Sequence, residues 1–225
     1  MSALTKKNVT TLITAIEKVY PKAYADSSWD NTGLLINSSL GTTNNLSTKI
    51  TTKCLLTIDL TSDVCDEAIE NNVDLVISYH PFIFPKWNSI NSTTQHKSAI
   101  KLIQDGISVY SPHTAVDAVK NGMNDYLMSL IFETPNSIQS IIKSGASEDI
   151  IEGMGRFSTN NSSQNMEEVV GNIKKGLNIK FLQIALPDEL RSKDLKDIKV
   201  SSVAVCAGSG GSVFAKLKEN CDLIL

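Results

Sequence analysis

The chain has 225 residues, 41% hydrophobic and 20% charged, a globular balance that excludes wholesale disorder and fits one large domain or two small ones. Its 21 basic and 24 acidic residues give a net charge of −3 with no long run of Lys and Arg, which argues against nucleic acid as a partner. No stretch approaches the roughly 18 consecutive apolar residues of a membrane helix, so a soluble protein without a membrane partner is expected.

Val9, Leu12, Ile13, Ile16 and Val19 recur at helical spacing until Pro21 stops the pattern, which predicts an opening helix with one buried face. Lys6 and Lys7 ahead of this segment faintly suggest an organellar presequence, but Glu17 and the absence of arginine favour a core helix, and secretion is not expected. The expected compartment is the cytoplasm, with nucleus and mitochondrion as alternatives. Trp29-Asp30-Asn31-Thr32-Gly33 then reads as a turn into a strand at Leu34-Leu35-Ile36. Asn37 to Thr52 and Ser158 to Asn165 are rich in Asn, Ser and Thr and are expected as solvated loops.

From Lys53 strands and helices alternate. Strands are expected at Cys54–Ile58, Leu75–Ser78 and Ile107–Tyr110, and helices at Ser62–Glu70, Ser98–Gln104 and Asn124–Ile131, with Gly106 as a helix C-cap. Such alternation implies an α/β fold with a largely parallel sheet covered by helices. The three strands should lie in one sheet with their C-terminal ends on the same edge. Beyond Thr134 the pattern changes: strands at Ser137–Lys143 and Ile150–Phe157, a helix at Met166–Lys175, strands at Phe181–Ala185 and Val200–Cys206, and a short helix around Val213–Leu217. The domains are placed at residues 1–134 and 135–225. The chain finishes on Leu223-Ile224-Leu225, and an apolar strand at a terminus suggests that the second domain is incomplete.

The four cysteines, Cys54, Cys65, Cys206 and Cys221, form no C-x-x-C pair and are expected as reduced, mostly buried thiols. The three histidines can be enumerated. His80 follows the strand Leu75–Ser78 by two residues and precedes Pro81; His113 follows Tyr110 by three and is preceded by Pro112. Ligand crevices of open α/β sheets lie outside the C-terminal strand ends, so both imidazoles should converge there, with Asp117 within reach. Two imidazoles and a carboxylate can hold a divalent metal, or serve as a general base with its orienting acid, or be hydrogen-bonded loop residues. His96 is expected as a solvated residue at a helix start. Asp59 and Asp63 read first as caps of the strand and helix they adjoin and second as site residues. Gly208-Ser209-Gly210-Gly211 and Gly153-x-Gly155-Arg156 read as structural bends rather than nucleotide fingerprints.

Taken in order, Trp29-Asp30-Asn31-Thr32-Gly33-Leu34, Ser78-Tyr79-His80-Pro81 with Phe84, Ser111-Pro112-His113-Thr114-Ala115-Val116-Asp117, Gly122-Met123-Asn124-Asp125 and Cys206-Ala207-Gly208-Ser209-Gly210 resemble the NIF-three-like family, also labelled GTP cyclohydrolase I type-two-like. The resemblance spans nearly the whole chain, and Tyr79 places it with the eukaryotic branch. It implies two similar, intimately joined α/β lobes with mixed, largely parallel sheets, a dinuclear site for zinc, manganese or iron between them, and a homo-oligomer, often a hexamer. The ligands carried over are His80, His113 and Asp117. Bacterial relatives have His-His-Pro where this chain has Tyr79-His80-Pro81, so one ligand is replaced, and further His and Glu ligands follow the last strand in the family. Weak or partial metal occupancy is therefore expected. The resemblance implies a metal-dependent hydrolase-like activity on a nucleotide or other phosphorylated small molecule, or alternatively an interaction protein that binds a transcriptional adaptor.

Overall fold

The computed structural model describes residues 4–41 and 51–225. It divides into two compact units, Met1–Val116 and Asp117–Leu225, upstream of the 134/135 boundary read from sequence. The cause lies in the second core, which takes in Met128, Ile131 and Phe132.

In the first unit α1 (Lys6–Val19) starts at Thr5, whose hydroxyl accepts from the Asn8 amide at 3.2 Å, and ends before Pro21. After β1 (Gly33–Ile36), a short 3-10 turn, Ser38–Gly41, opens the stretch read as a solvated loop. Ser38 is in fact buried, because its hydroxyl donates to the Ile107 carbonyl at 2.6 Å and its amide to the Ser108 hydroxyl at 3.2 Å. Residues 42–50 of that expected loop lie outside the described residues.

The alternating run follows as expected: β2 (Cys54–Thr57), α2 (Ser62–Glu70), β3 (Leu75–Ser78), α3 (Thr94–Gln104) and β4 (Ser108–Ser111). Thr61 and Thr93 cap the two helices, and Gly106 at φ 76° follows the end of α3, where a left-handed residue lets the Ile107 amide return to the Leu102 carbonyl at 2.8 Å. The strand order is β1-β4-β3-β2; β2, β3 and β4 are mutually parallel and β1 is antiparallel to β4. The three expected strands therefore share a sheet and an edge for their C-terminal ends. Cys65, Ala68, Ala99 and Leu102 of α2 and α3 pack on Val76 and Val109. Burying one such Leu contributes roughly 1.5–3 kcal/mol. Tyr110, next to Val109, turns to the other face and donates to Glu17 of α1 at 3.3 Å.

The second unit opens inside α4 (Thr114–Ala118) and continues with α5 (Met123–Ser129), β5 (Ser137–Gln139), β6 (Ile142–Lys143), β7 (Gly153–Met154), β8 (Arg156–Asn165), α6 (Met166–Gly176), β9 (Lys199–Val205), α7 (Gly211–Phe214) and β10 (Leu223–Ile224). Its main sheet has the order β10-β9-β8-β5, antiparallel except for the parallel pair β9 and β10, and β6 and β7 form a separate ribbon. Two expectations are corrected. Ser158–Asn165 is part of β8, because Ser158, Thr159, Gln164 and Asn165 ladder onto β9 on either side of a register shift, whatever the polarity of their side chains. Phe181–Ala185 forms no strand: it finds no ladder partner, and Phe181 is 87% exposed. The four thiols are unpaired; Cys65 and Cys206 are buried, Cys221 is half-buried and Cys54 is exposed. Among the described residues no helix is long and apolar enough to cross a membrane.

Candidate functional site

Two short tethers set the histidines at the C-terminal edge of the first sheet. Beyond β3, the amides of Tyr79 and His80 continue the ladder to the carbonyls of Thr57 and Ile58, at 2.9 and 3.0 Å. The Ser78 hydroxyl donates to the His80 carbonyl at 2.8 Å. The backbone under His80 is thus fixed although its ring is half exposed. Beyond β4, Pro112 leads to His113, whose φ of 35° is a left-handed conformation that non-glycine residues rarely adopt. Strain of this kind persists where the surroundings over-determine it. Here Asp30 does so: its Oδ1 lies 2.8 Å from His113 Nδ1, and its Oδ2 accepts from the Thr114 hydroxyl at 2.5 Å.

Asp30 is fully buried as a side chain. Burial pushes its carboxyl up, but the bonds from His113 and Thr114 outweigh that and hold it below the ordinary value. His80 is paired in the same way, with Asp59 Oδ1 2.7 Å from its Nδ1. A carboxylate at Nδ1 favours the tautomer that carries its proton there, which leaves Nε2 as the lone-pair nitrogen. The imidazole centroids are 5.7 Å apart, with the Tyr79 ring 4.9 Å from His80 and 5.5 Å from His113.

The donor set suits a divalent cation. With metal–nitrogen bonds of 2.0–2.1 Å, two imidazoles on one tetrahedral ion have centroids about 5 Å apart, close to the spacing found. Asp117 follows four residues after His113 in α4 and is buried at the start of the second unit. Its carbonyl accepts from Asn124 Nδ2 at 2.9 Å, and the Asn124 Oδ1 in turn accepts from the Ala207 amide at 2.7 Å. Burial, and then the Asp117 charge, push the Cys206 thiol up to about 11. Among the described residues no three His, Cys, Asp or Glu side chains are gathered as a metal site.

Of the two orienting acids, Asp59 reads first as a cap and second as a site residue, and its pairing with His80 after β2 gives it the second place. Asp30 precedes an antiparallel strand, and nothing local announces that it meets a residue far along the chain. His96 is corrected: it begins α3 but is buried, its ring 4.3 Å from that of Trp87 and its Nδ1 accepting from the Asn91 amide at 2.9 Å. The glycine bends are structural turns as expected, with Gly155 at φ 64°, Gly208 at 80° and Gly210 at 59°.

The sequence model described as Duf34/NIF3 (NGG1p interacting factor 3) matches residues 7–225. The chain is 44% identical over 226 residues to NGG1-interacting factor 3 of Saccharomyces cerevisiae, covering 98% of this chain and 77% of that protein. It is 31% identical over 192 residues to the GTP cyclohydrolase 1 type 2 homolog of Clostridium acetobutylicum, covering 85% and 65%. Among solved structures, a hypothetical protein of Staphylococcus aureus superposes with a TM-score of 0.72 at 22% identity, over 99% of this chain and 78% of that one. At that identity the likeness concerns the fold.

Proposed function

The chain belongs to the DUF34/NIF3 family, and on that premise we propose that it is a metal-binding, hydrolase-like protein acting on a nucleotide or another phosphorylated small molecule. The observation that carries this reading is the pair of carboxylate-oriented imidazoles at one sheet edge, their centroids 5.7 Å apart. His80 and His113 would hold a zinc, manganese or iron ion through Nε2, with Asp117 as the oxygen donor. Asp59 and Asp30 fix the ring orientations through Nδ1, so that Nε2 is the nitrogen turned to the ion. A divalent cation in such a setting supplies Lewis acidity and a water of lowered pKa.

Elemental analysis and zinc or manganese calorimetry test the reading. Binding should weaken sharply in His80→Ala and His113→Ala and in Asp117→Ala; tight binding unchanged in His113→Ala would refute the assignment. A second reading, binding to a transcriptional adaptor, is favoured by the name of the yeast relative; it would bring the chain to the nucleus. Partner capture indifferent to metal and to His113→Ala would support it over the first. A homo-oligomer belongs to both readings, and sedimentation as a monomer at micromolar concentration would count against it.

A further inference from the structure

Next to the two imidazoles the first unit leaves aromatic surface open. Trp29 is 52% exposed and Phe84 48%, an uncommon outlay of large apolar side chains on a chain whose other tryptophan, Trp87, packs against Phe82 and His96. The two rings stand nearly perpendicular, 81° between planes with centroids 6.2 Å apart. Trp29 also meets His113 edge to face at 5.8 Å and 88°. The corner is built rather than incidental. Trp29 directly precedes Asp30, the acid that orients His113. Asn31 Nδ2 donates to the Ile83 carbonyl at 2.6 Å, which ties the turn bearing Trp29 to the loop bearing Phe84. Tyr79 adds a third ring against both imidazoles.

We infer that this corner is a stacking site for a planar heteroaromatic ring, the base of a nucleotide being the representative chemistry. The inference rests on the proposed reading of the histidine pair and specifies its substrate class: the ring docks against Trp29 and Phe84, and the reacting group reaches the imidazoles. Two perpendicular aromatic walls offer a flat ligand one face to stack on and one edge-to-face contact, arrangements that aromatic pairs prefer and that contribute beyond plain area burial. An aliphatic ligand would gain only the area. Stacking is tolerant of which base is presented, because every base has a π-face.

The test uses the full chain in a Trp87→Phe background, where Trp29 is the remaining tryptophan. Its fluorescence is followed during titration with adenosine 5′-monophosphate, guanosine 5′-monophosphate and ribose 5-phosphate. Both nucleotides should quench it saturably, and ribose 5-phosphate should not. By calorimetry on the parent chain, Trp29→Ala should weaken nucleotide binding roughly 5- to 150-fold, the range of one lost base–aromatic stack, while Trp29→Phe keeps most of the affinity. Phe84→Ala should also weaken it. Ribose 5-phosphate binding as tightly as the nucleotides, or Trp29→Ala leaving nucleotide affinity unchanged, would overturn the inference. Zinc titration of the same proteins separates the two claims. Zinc bound at His80 and His113 without nucleotide quenching sinks the stacking site alone; quenching in a chain that ignores zinc supports the stacking site and sinks the metal reading.

Discussion

Replacing Arg156 by Met should cost more stability than any surface change in the chain, and the reason is visible in its bonding. Its side chain is 0% exposed and paired with Asp125, Nε to Oδ1 at 2.6 Å. Nη1 donates to the carbonyls of Gly153 and Gly155 at 2.7 and 2.8 Å, and Nη2 to those of Ala118 and Val119 at 3.3 and 3.0 Å. Met fills a similar volume but leaves a largely buried carboxylate and those carbonyls without their donor. Breaking a buried pair from one side costs about 3–5 kcal/mol. Asp125→Asn breaks the same pair from the other side but leaves the guanidinium on its four carbonyl acceptors, so the lower end of that range, about 3 kcal/mol, is expected. Urea unfolding followed by circular dichroism measures both, and for a chain of this size the larger cost lowers Tm by roughly 6–20 °C. An Arg156→Met chain that unfolds within about 1 kcal/mol of the parent, the scale of an average substitution, would refute this reasoning.

Asp30→Asn should weaken zinc binding about 10- to 100-fold in calorimetry, because the amide no longer enforces the His113 tautomer; an unchanged affinity would remove Asp30 from the site. Cys206, pushed up from 9.0 to about 11, should be nearly inert to a disulfide reagent at pH 8, where roughly one molecule in a thousand carries the thiolate. Because the folded value is raised, the linked stability is intact below pH 9 and is lost as pH rises from 9 towards 11, by up to roughly 2–3 kcal/mol. The urea midpoint of the parent should therefore fall faster than that of Cys206→Ala across that range, and parallel curves would contradict the burial argument.

The alternating half of the first unit was legible because its strands and helices carry their own periodicity, Leu75–Ser78 and Ser62–Glu70 among them. Where the reading failed, the deciding contact was distant. The polar stretch Ser158–Asn165 is held as a strand by pairing such as Gln164 with Val200, which side-chain character does not record. Phe181–Ala185 has the composition of a strand and no partner to ladder with. His96 is buried by Trp87, a neighbour in space that the polar residues around it in sequence do not suggest. At the site the histidines follow from the strand-end rule, whereas their orienting acids depend on two further segments arriving at the same edge.

That arrival depends on chain direction. Because β1 runs against β4, pairing Gly33 with Ser111, the entrance of one strand lies beside the exit of the other. A residue just before β1 and one just after β4 are therefore neighbours, which is how Asp30 reaches His113 without any long loop. Three tethers of two or three residues, from Gly33 back to Asp30, from Ser78 to His80 and from Ser111 to His113, hang the polar groups from ladder-fixed backbone. Short tethers leave few conformations to surrender when a ligand binds, so the ordering cost was met when the sheet formed. Lengthening any one of them by a residue would change the reach and facing of its side chain at once, and the tolerance for insertion usual in surface loops should be absent there.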